Sequence, residues 1–404
     1  MDQHGGARQA NFADSVPPPR AGSRLNRRRI VALAAIALLS ACKVIPKGPP
    51  EVGPSPVVDT GPDVLPADTE RHRVALLVPL TGPNSAVGQS IANAATMALL
   101  DTNAQNLRVT NYDTTLGASD AVRKALADGN KLILGPLMSN DIPPVITVAR
   151  AAKVPVISFS NDASAATRDV FIMGTLPSQS VIRTVAYARS QGLTKFAALV
   201  PAGEYGDRAG AAYLSAVRAN GGTLVASETY DRGNTSVASA ARRLVAKGGY
   251  EAVLIADGGR VAAQVAPILK PAAGAGPRLI GTELWSGEAL IATTPALRGA
   301  WYAAVADTRF RQFSTSYRTR FGAQPYRIGT LGYDGVLLSL RVAREWKPGT
   351  IFPTTRLYDP GGFLGLDGAF RFGRDGVIER ALEVREVRAG GVTVVSPAPA
   401  RFGP

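Results

Sequence analysis

The stretch Val74-Ala75-Leu76-Leu77-Val78-Pro79 decides how this chain is read. It is a short, continuous apolar run closed by proline, and a run without polar alternation suits a strand buried on both faces of a parallel sheet. The residues that follow, Ser85 to Asp101, set Ile91, Ala94, Ala95 and Ala98 along one helical face. A buried strand and then an amphipathic helix make half of a βαβ unit, and the alternation continues. Leu107 to Tyr112, Lys131 to Leu134, Val154 to Phe159 and Val170 to Met173 read as strands, with helices over Ser119 to Asp128 and Pro143 to Ala152. A second set begins with a helix over Gln179 to Ser190. It continues with strands at Phe196 to Val200, Thr223 to Thr229, Ala252 to Ala256 and Arg278 to Gly281, separated by helices over Arg208 to Ala219, Val237 to Lys247 and Arg260 to Leu269. Helices over Phe310 to Phe321 and Ile328 to Trp346 and a β-rich tail from Phe363 to Val395 close the chain. The predicted class is α/β with two lobes, each a mostly parallel sheet flanked by helices. One lobe is expected over 71–175 plus about 306–360, the other over 176–305 plus about 361–398.

Upstream of that body the chain changes character twice. Four arginines between Arg24 and Arg29 precede an apolar run from Ile30 to Leu39 and then Leu39-Ser40-Ala41-Cys42. About ten apolar residues are too few to span a bilayer as a mature helix, so residues 1–41 read as a lipoprotein signal peptide and Cys42 as the lipidated residue. Cys42 is the single cysteine, which leaves the mature chain without an internal disulfide. Residues 42–70 carry seven prolines and few large apolar groups, a linker of polyproline character. Removing residues 1–41 takes away six arginines and two aspartates, so the net charge falls from +14 to +10. An export signal excludes nucleic acid as the partner of that charge, and the basic residues after Arg29 are scattered rather than clustered.

Four segments, Val78-Pro79-Leu80-Thr81-Gly82, Leu134-Gly135-Pro136-Leu137, Val154 through Asp162 and Gly332-Tyr333-Asp334, resemble those of the leucine-binding type I periplasmic binding proteins, in the same order and at similar spacing. Tyr112-Asp113-Thr114, Gly206-Asp207-Arg208, Gly365-Leu366-Asp367-Gly368 and Ile378-Glu379-Arg380 are similar, within that superfamily, to the penicillin-binding protein activators, lipoproteins that stimulate a peptidoglycan synthase. The resemblance implies a two-lobed type I periplasmic-binding-protein fold with a ligand cleft between the lobes. In open parallel sheets the crevice lies beyond the carboxyl ends of the strands, and the loops expected there hold Ser139, Ser160, Asn161, Tyr205, Asp257, Glu283 and Trp285. By resemblance to amino-acid receptors, Ser139 and Ser160 take a ligand carboxylate while Tyr205 and Glu283 take its ammonium. The same residues also admit structural readings: serines cap helices, and aromatic rings pack between loops.

Catalysis lacks parts. The two histidines are His4, in the expected signal peptide, and His72, at the end of the linker, so a Ser-His-Asp triad or a histidine-based metal site does not assemble readily. No phosphate loop or Gly-x-Ser-x-Gly occurs, and Asp367 and Asp375 read as turn residues. The expectation is a non-catalytic envelope protein without cofactor or metal. Two functions fit it: an activator-like regulator acting on a peptidoglycan synthase, which is the expected function, or the receptor of an ABC permease for an amino-acid-like small ligand. Lys43 after Cys42 points to a lipid anchor in the outer membrane, facing the periplasm.

Overall fold

The computed structural model describes residues 70–270 and 276–402. Cys42, the expected signal peptide and nearly all of the expected linker lie outside the described residues. In the first lobe β1 (His72–Val78), α1 (Ser85–Thr102), β2 (Leu107–Asp113), α2 (Ala118–Ala127), β3 (Leu132–Leu134), α3 (Ile142–Ala151), β4 (Val156–Ser158) and β5 (Val170–Ile172) follow one another. They form a parallel sheet in the order β2-β1-β3-β4-β5. Val74 through Val78 have no solvent exposure, as a strand covered on both faces requires.

The second lobe takes α4 (Pro177–Ser190), β6 (Lys195–Pro201), α5 (Glu204–Ala219), β7 (Thr223–Tyr230), α6 (Ser236–Lys247), β8 (Ala252–Ile255), α7 (Gly259–Leu269), β9 (Arg278–Ile280), α8 (Ala289–Thr293) and β10 (Trp301–Ala304). Along β6, Ala197 and Leu199 enter one apolar cluster while Phe196 and Ala198 enter another, because alternate side chains of a strand meet helices on opposite faces of the sheet. Sequence reading placed most of these elements within one to three residues of their ends but passed over α8 and β10, the latter only four residues long.

The chain then returns to the first lobe with α9 (Thr308–Phe321) and α10 (Thr330–Ala343), the latter packed on α1. A small antiparallel sheet follows, β11 (Phe363–Gly365), β12 (Gly368–Phe372) and β13 (Ile378–Arg380). Finally β14 (Glu383–Arg388) and β15 (Gly391–Ser396) extend the second sheet, giving β15-β14-β10-β9-β8-β6-β7. This corrects the expected lobe division. Residues 363–380 do not belong to the second lobe: Phe363, Phe370, Phe372 and Ile378 are buried in the core of the first, and Val377 bridges to Ile172 of β5. Only the last two strands of the β-rich tail serve the second sheet. The chain therefore crosses between lobes three times, at residues 173–176, 305–307 and 381–382.

Both lobes begin with the same device. β1 runs into Pro79 and β6 ends at Pro201, and the first turn of the following helix brings Gly88 or Gly206 against the proline carbonyl so closely that a Cβ there would overlap the oxygen. Glycine lets each helix start tight over its strand, which sets the helix amino terminus at the cleft.

Candidate functional site

Between the carboxyl ends of the two sheets lies a cavity of about 610 Å³, walled by both lobes and by the crossovers that join them. That volume is in the range of small-molecule clefts. Of the seven expected cleft residues, Ser139, Ser160, Asn161, Tyr205 and Glu283 line it.

On the first-lobe wall the polar groups are largely engaged with one another. Ser158 Oγ accepts from the backbone N–H of Ser160, and Ser160 Oγ accepts from that of Asp162. Asp162 Oδ1 in turn accepts from the N–H and hydroxyl of Ser164. These side-chain to backbone bonds close a tight turn after β4. Ser139 opens a 3₁₀ turn, Ser139–Asp141, half-buried on the same wall. Asn161 and Asp162 are reached from the opposite lobe: Arg208, in the first turns of α5, donates to Asn161 Oδ1 at 3.0 Å and lies 3.4 Å from Asp162 Oδ2. Its other partner, Glu204, sits one helical turn back at 3.0 Å.

The second-lobe wall is different. Tyr205, in the first turn of α5, donates its hydroxyl to Glu283 Oε1 at 3.0 Å and lies 2.9 Å from the Thr282 hydroxyl. Glu283 begins the 3₁₀ turn Glu283–Trp285 that follows β9. Part of the residue is exposed, but Oε2 is closed off from solvent and has no hydrogen-bond partner. Burial pushes its carboxyl up to about 7, with its own backbone N–H and the Tyr205 hydroxyl pulling the other way. Burial also drives the Tyr205 hydroxyl far above its ordinary value, the nearby Glu283 charge adding to it, so it stays a donor.

Two expected cleft residues stand elsewhere. Trp285 is fully buried, packs in the second-lobe core against Tyr302, and donates its indole N–H to the Asp257 carbonyl at 2.8 Å. Its large ring gains more from the core than from the cavity. Asp257 lies behind the wall, where its carboxylate accepts from Tyr230, from Arg232 at 2.8 Å and from the N–H of Gly258. Arg232, so held, sits over the Tyr205 ring at 5.4 Å. Asp257 thus supports the aromatic ring that touches the cavity instead of lining it.

The crossover side of the cavity holds a charged cluster that was not among the expected cleft residues. Arg327 pairs with Asp307 at 3.0 Å and Asp367 at 2.9 Å, and Thr330 donates to the other oxygen of Asp367. Arg385, itself buried, joins Asp307 to Glu383. Asp367 occupies the turn between β11 and β12, as expected, and is at the same time a buried acid in an ionic network. Arg380 adjoins the cavity at the end of β13. It donates through Nη2 to the Met173 carbonyl at 2.9 Å, and its backbone N–H reaches Gln179 of α4 at 3.1 Å. The only trace of this cluster in the sequence is its position in the Gly365-Leu366-Asp367-Gly368 and Ile378-Glu379-Arg380 segments. Among the described residues no group of three or more histidine, cysteine or acidic side chains is arranged to hold a metal ion, and no helix is long and apolar enough to cross a membrane.

The periplasmic binding protein family model matches residues 72–391, the two lobes almost entire. The chain belongs to that family. An uncharacterized protein of Rickettsia prowazekii is 28% identical over 176 residues, 42% of this chain and 46% of that protein; the match spans less than half of the relative's length. Among solved structures, a Rhodospirillum rubrum protein assigned to branched-chain amino acid ABC transport superposes with a TM-score of 0.70 at 21% identity, covering 80% of this chain and all of that one. The substrate-binding protein LivJ of Streptococcus pneumoniae, solved with isoleucine, gives 0.61 at 18% identity over 81% of this chain and all of its own. At such identities the structural likeness is one of fold.

Proposed function

We propose that this periplasmic binding protein is a solute receptor whose cleft holds a small ligand through an ammonium group and delivers it to an ABC permease. The observation that carries the reading is the Tyr205–Glu283 pair on the second-lobe wall. A carboxyl enclosed with one oxygen unpartnered is costly, and a ligand ammonium beside Oε2 supplies the missing donor and counter-charge. Binding then ionises Glu283 and releases its proton. The structural likeness to proteins of branched-chain amino acid transport supports this reading over the expected one. Calorimetric titration of the purified chain with amines and amino acids, in buffers of different ionisation heat near pH 6.5, tests it. A binding heat that varies with the buffer is the expected result, and no heat with any amine-bearing ligand would abandon the reading.

A second reading has one observation in its favour. Arg208 spans from the second lobe to Asn161 and Asp162 of the first, so the lobes are joined directly across part of the cleft. A protein with its lobes so latched suits docking, as in an activator-like regulator of a peptidoglycan synthase. Glycan polymerisation by a purified synthase, measured with and without the chain, tests that alternative. In either reading the chain works in the periplasm, tethered by a lipid on Cys42, and an outer-membrane anchor suits the activator-like reading, since it stands far from a permease; radiolabelled palmitate incorporation, abolished in Cys42→Ala, tests the tether.

A further inference from the structure

Five side chains among the described residues carry buried polar atoms without a hydrogen-bond partner, and two of them line the cleft. One is Glu283. The other is Arg380, whose side chain is 1% exposed and whose Nε and Nη1 both lack an acceptor. Asp367 does not satisfy it. Its nearest oxygen is 4.0 Å from Nη1, beyond hydrogen-bond range, and the two Asp367 oxygens are committed to Arg327 and Thr330. Asp334 exerts an attraction on Arg380 from behind, but burial and the Asp367 charge hold its carboxyl well above the ordinary range, which weakens it as a counter-ion. The guanidinium is also propped over the Phe370 ring at 5.6 Å and tied through Nη2 to Met173, so its two remaining nitrogens, Nε and Nη1, are fixed in place.

The two unsatisfied groups have opposite charge and do not share a neighbour. Glu283 is bonded within the second lobe, to Tyr205, whereas Arg380 is bonded at the crossovers, to Met173 and Gln179. The first-lobe turn where the resemblance puts a ligand carboxylate is poorly suited to one. Ser160 Oγ already accepts the Asp162 N–H, which leaves it a single O–H to offer, and the Asp162 carboxylate stands beside it with Arg208 drawn to it at 3.4 Å. An α-amino acid carries its amine and carboxylate on one carbon, whereas the two unsatisfied groups belong to different walls of the cavity, Glu283 after β9 and Arg380 at the end of β13.

We propose that the cleft takes a ligand whose amine and carboxylate stand at separate ends, a short peptide or an ω-amino acid, with the amine at Glu283 and the carboxylate at Arg380. The proposal rests on the receptor reading above and adds the ligand class to it. The apolar stretch of wall formed by Phe159, Leu176, Val305 and Leu382 suits the uncharged middle of such a ligand.

The test is calorimetric titration of the purified chain with leucine, aminohexanoate, dialanine and trialanine, and with the carboxamide and N-acetyl forms of the ligand that binds best. The expected result is that an end-separated ligand binds more tightly than leucine and that blocking either end weakens it by about tenfold or more, the scale of a charge-assisted hydrogen bond. In Arg380→Gln the gap between acid and carboxamide should collapse while the gap between amine and N-acetyl form persists; a merely structural arginine would lower both affinities alike. Should that variant fail to fold, the acid-to-carboxamide ratio in the unaltered chain decides. Leucine binding best, or acid and carboxamide binding equally, overturns the proposal and leaves the receptor reading standing. No binding by any probe removes the receptor reading, and the proposal with it.

Discussion

The two lobes start alike and face the cleft differently. Each opens with a strand running into proline and a helix whose first turn sets a glycine against the proline carbonyl. Yet the first-lobe turn after β4 has its serine oxygens accepting backbone N–H groups and its carboxylate matched by Ser164 and Arg208, while the second-lobe turn after β9 leaves a carboxylate oxygen buried and unmatched. A shared fold unit fixes where a wall stands, and the residues after the strand fix whether it has an unmet demand. In this cleft the demand sits on the second lobe and at the crossovers.

The shared part of the comparison breaks with the largest effect. Gly88→Ala and Gly206→Ala each push a methyl into a backbone carbonyl, and each should cost about 2–3 kcal/mol of stability in chemical denaturation, nearly equal in the two lobes. A clear inequality would mean that one helix start can yield. The contrasting part follows. Glu283→Gln should weaken an amine-bearing ligand by about tenfold to a hundredfold in titration calorimetry while leaving the fold as stable or more so, because it removes a charged form that burial disfavours. Ser160→Ala should do the reverse, costing about 1 kcal/mol of stability through the lost bond to the Asp162 N–H with affinity little changed.

The same difference should appear with pH. Glu283 has its carboxyl raised from 4.5 to about 7, so between those values the folded chain binds a proton the unfolded chain does not. Its contribution to stability is therefore lost as pH rises through that window. Affinity for an ammonium ligand runs the other way, rising with pH to about 7 and levelling beyond it as Glu283 becomes ionised in the free protein. Affinity measured between pH 5 and 8 checks this, with Glu283→Gln expected to flatten the profile. Tyr205, and through it Asp257 and Arg232, face the same carboxyl; Tyr205→Phe removes its hydrogen-bond donor and should weaken binding about fivefold. The smallest effect belongs to Arg208→Ala. Its partners Glu204, Asn161 and Asp162 are partly solvated, so the bridge contributes no more than about 1 kcal/mol, and its loss should show as a slightly more open particle in small-angle scattering.

The apolar runs Val74 to Val78 and Phe196 to Val200 and the helical spacing after each were enough to read two parallel-sheet lobes, because a strand covered on both faces has to be apolar throughout. Tyr205 and Glu283 were legible for the same reason: they directly follow strands, where a parallel sheet puts its crevice. Trp285 and Asp257 also follow strands and turned out to point elsewhere. Position after a strand places a loop at the cleft, but side-chain direction depends on what the loop packs against. Residues 363–380 were given to the wrong lobe because a short antiparallel sheet can cap either core, and nothing in its alternation says which.

By itself, the sequence determined the class of fold, the two lobes, the basic and apolar amino-terminal pattern ending at Cys42, and the loops that meet at the cleft, all features set by local periodicity and order along the chain. Only the tertiary structure decided the charge of the site. Arg380 and Asp367 look like ordinary polar residues of a β-rich tail, and their burial comes from three crossovers separated by more than a hundred residues at one pair and by more than seventy at the other. A buried charge draws its meaning from partners brought by folding, and whether an oxygen or a guanidinium is left unmatched is a property of that assembly alone.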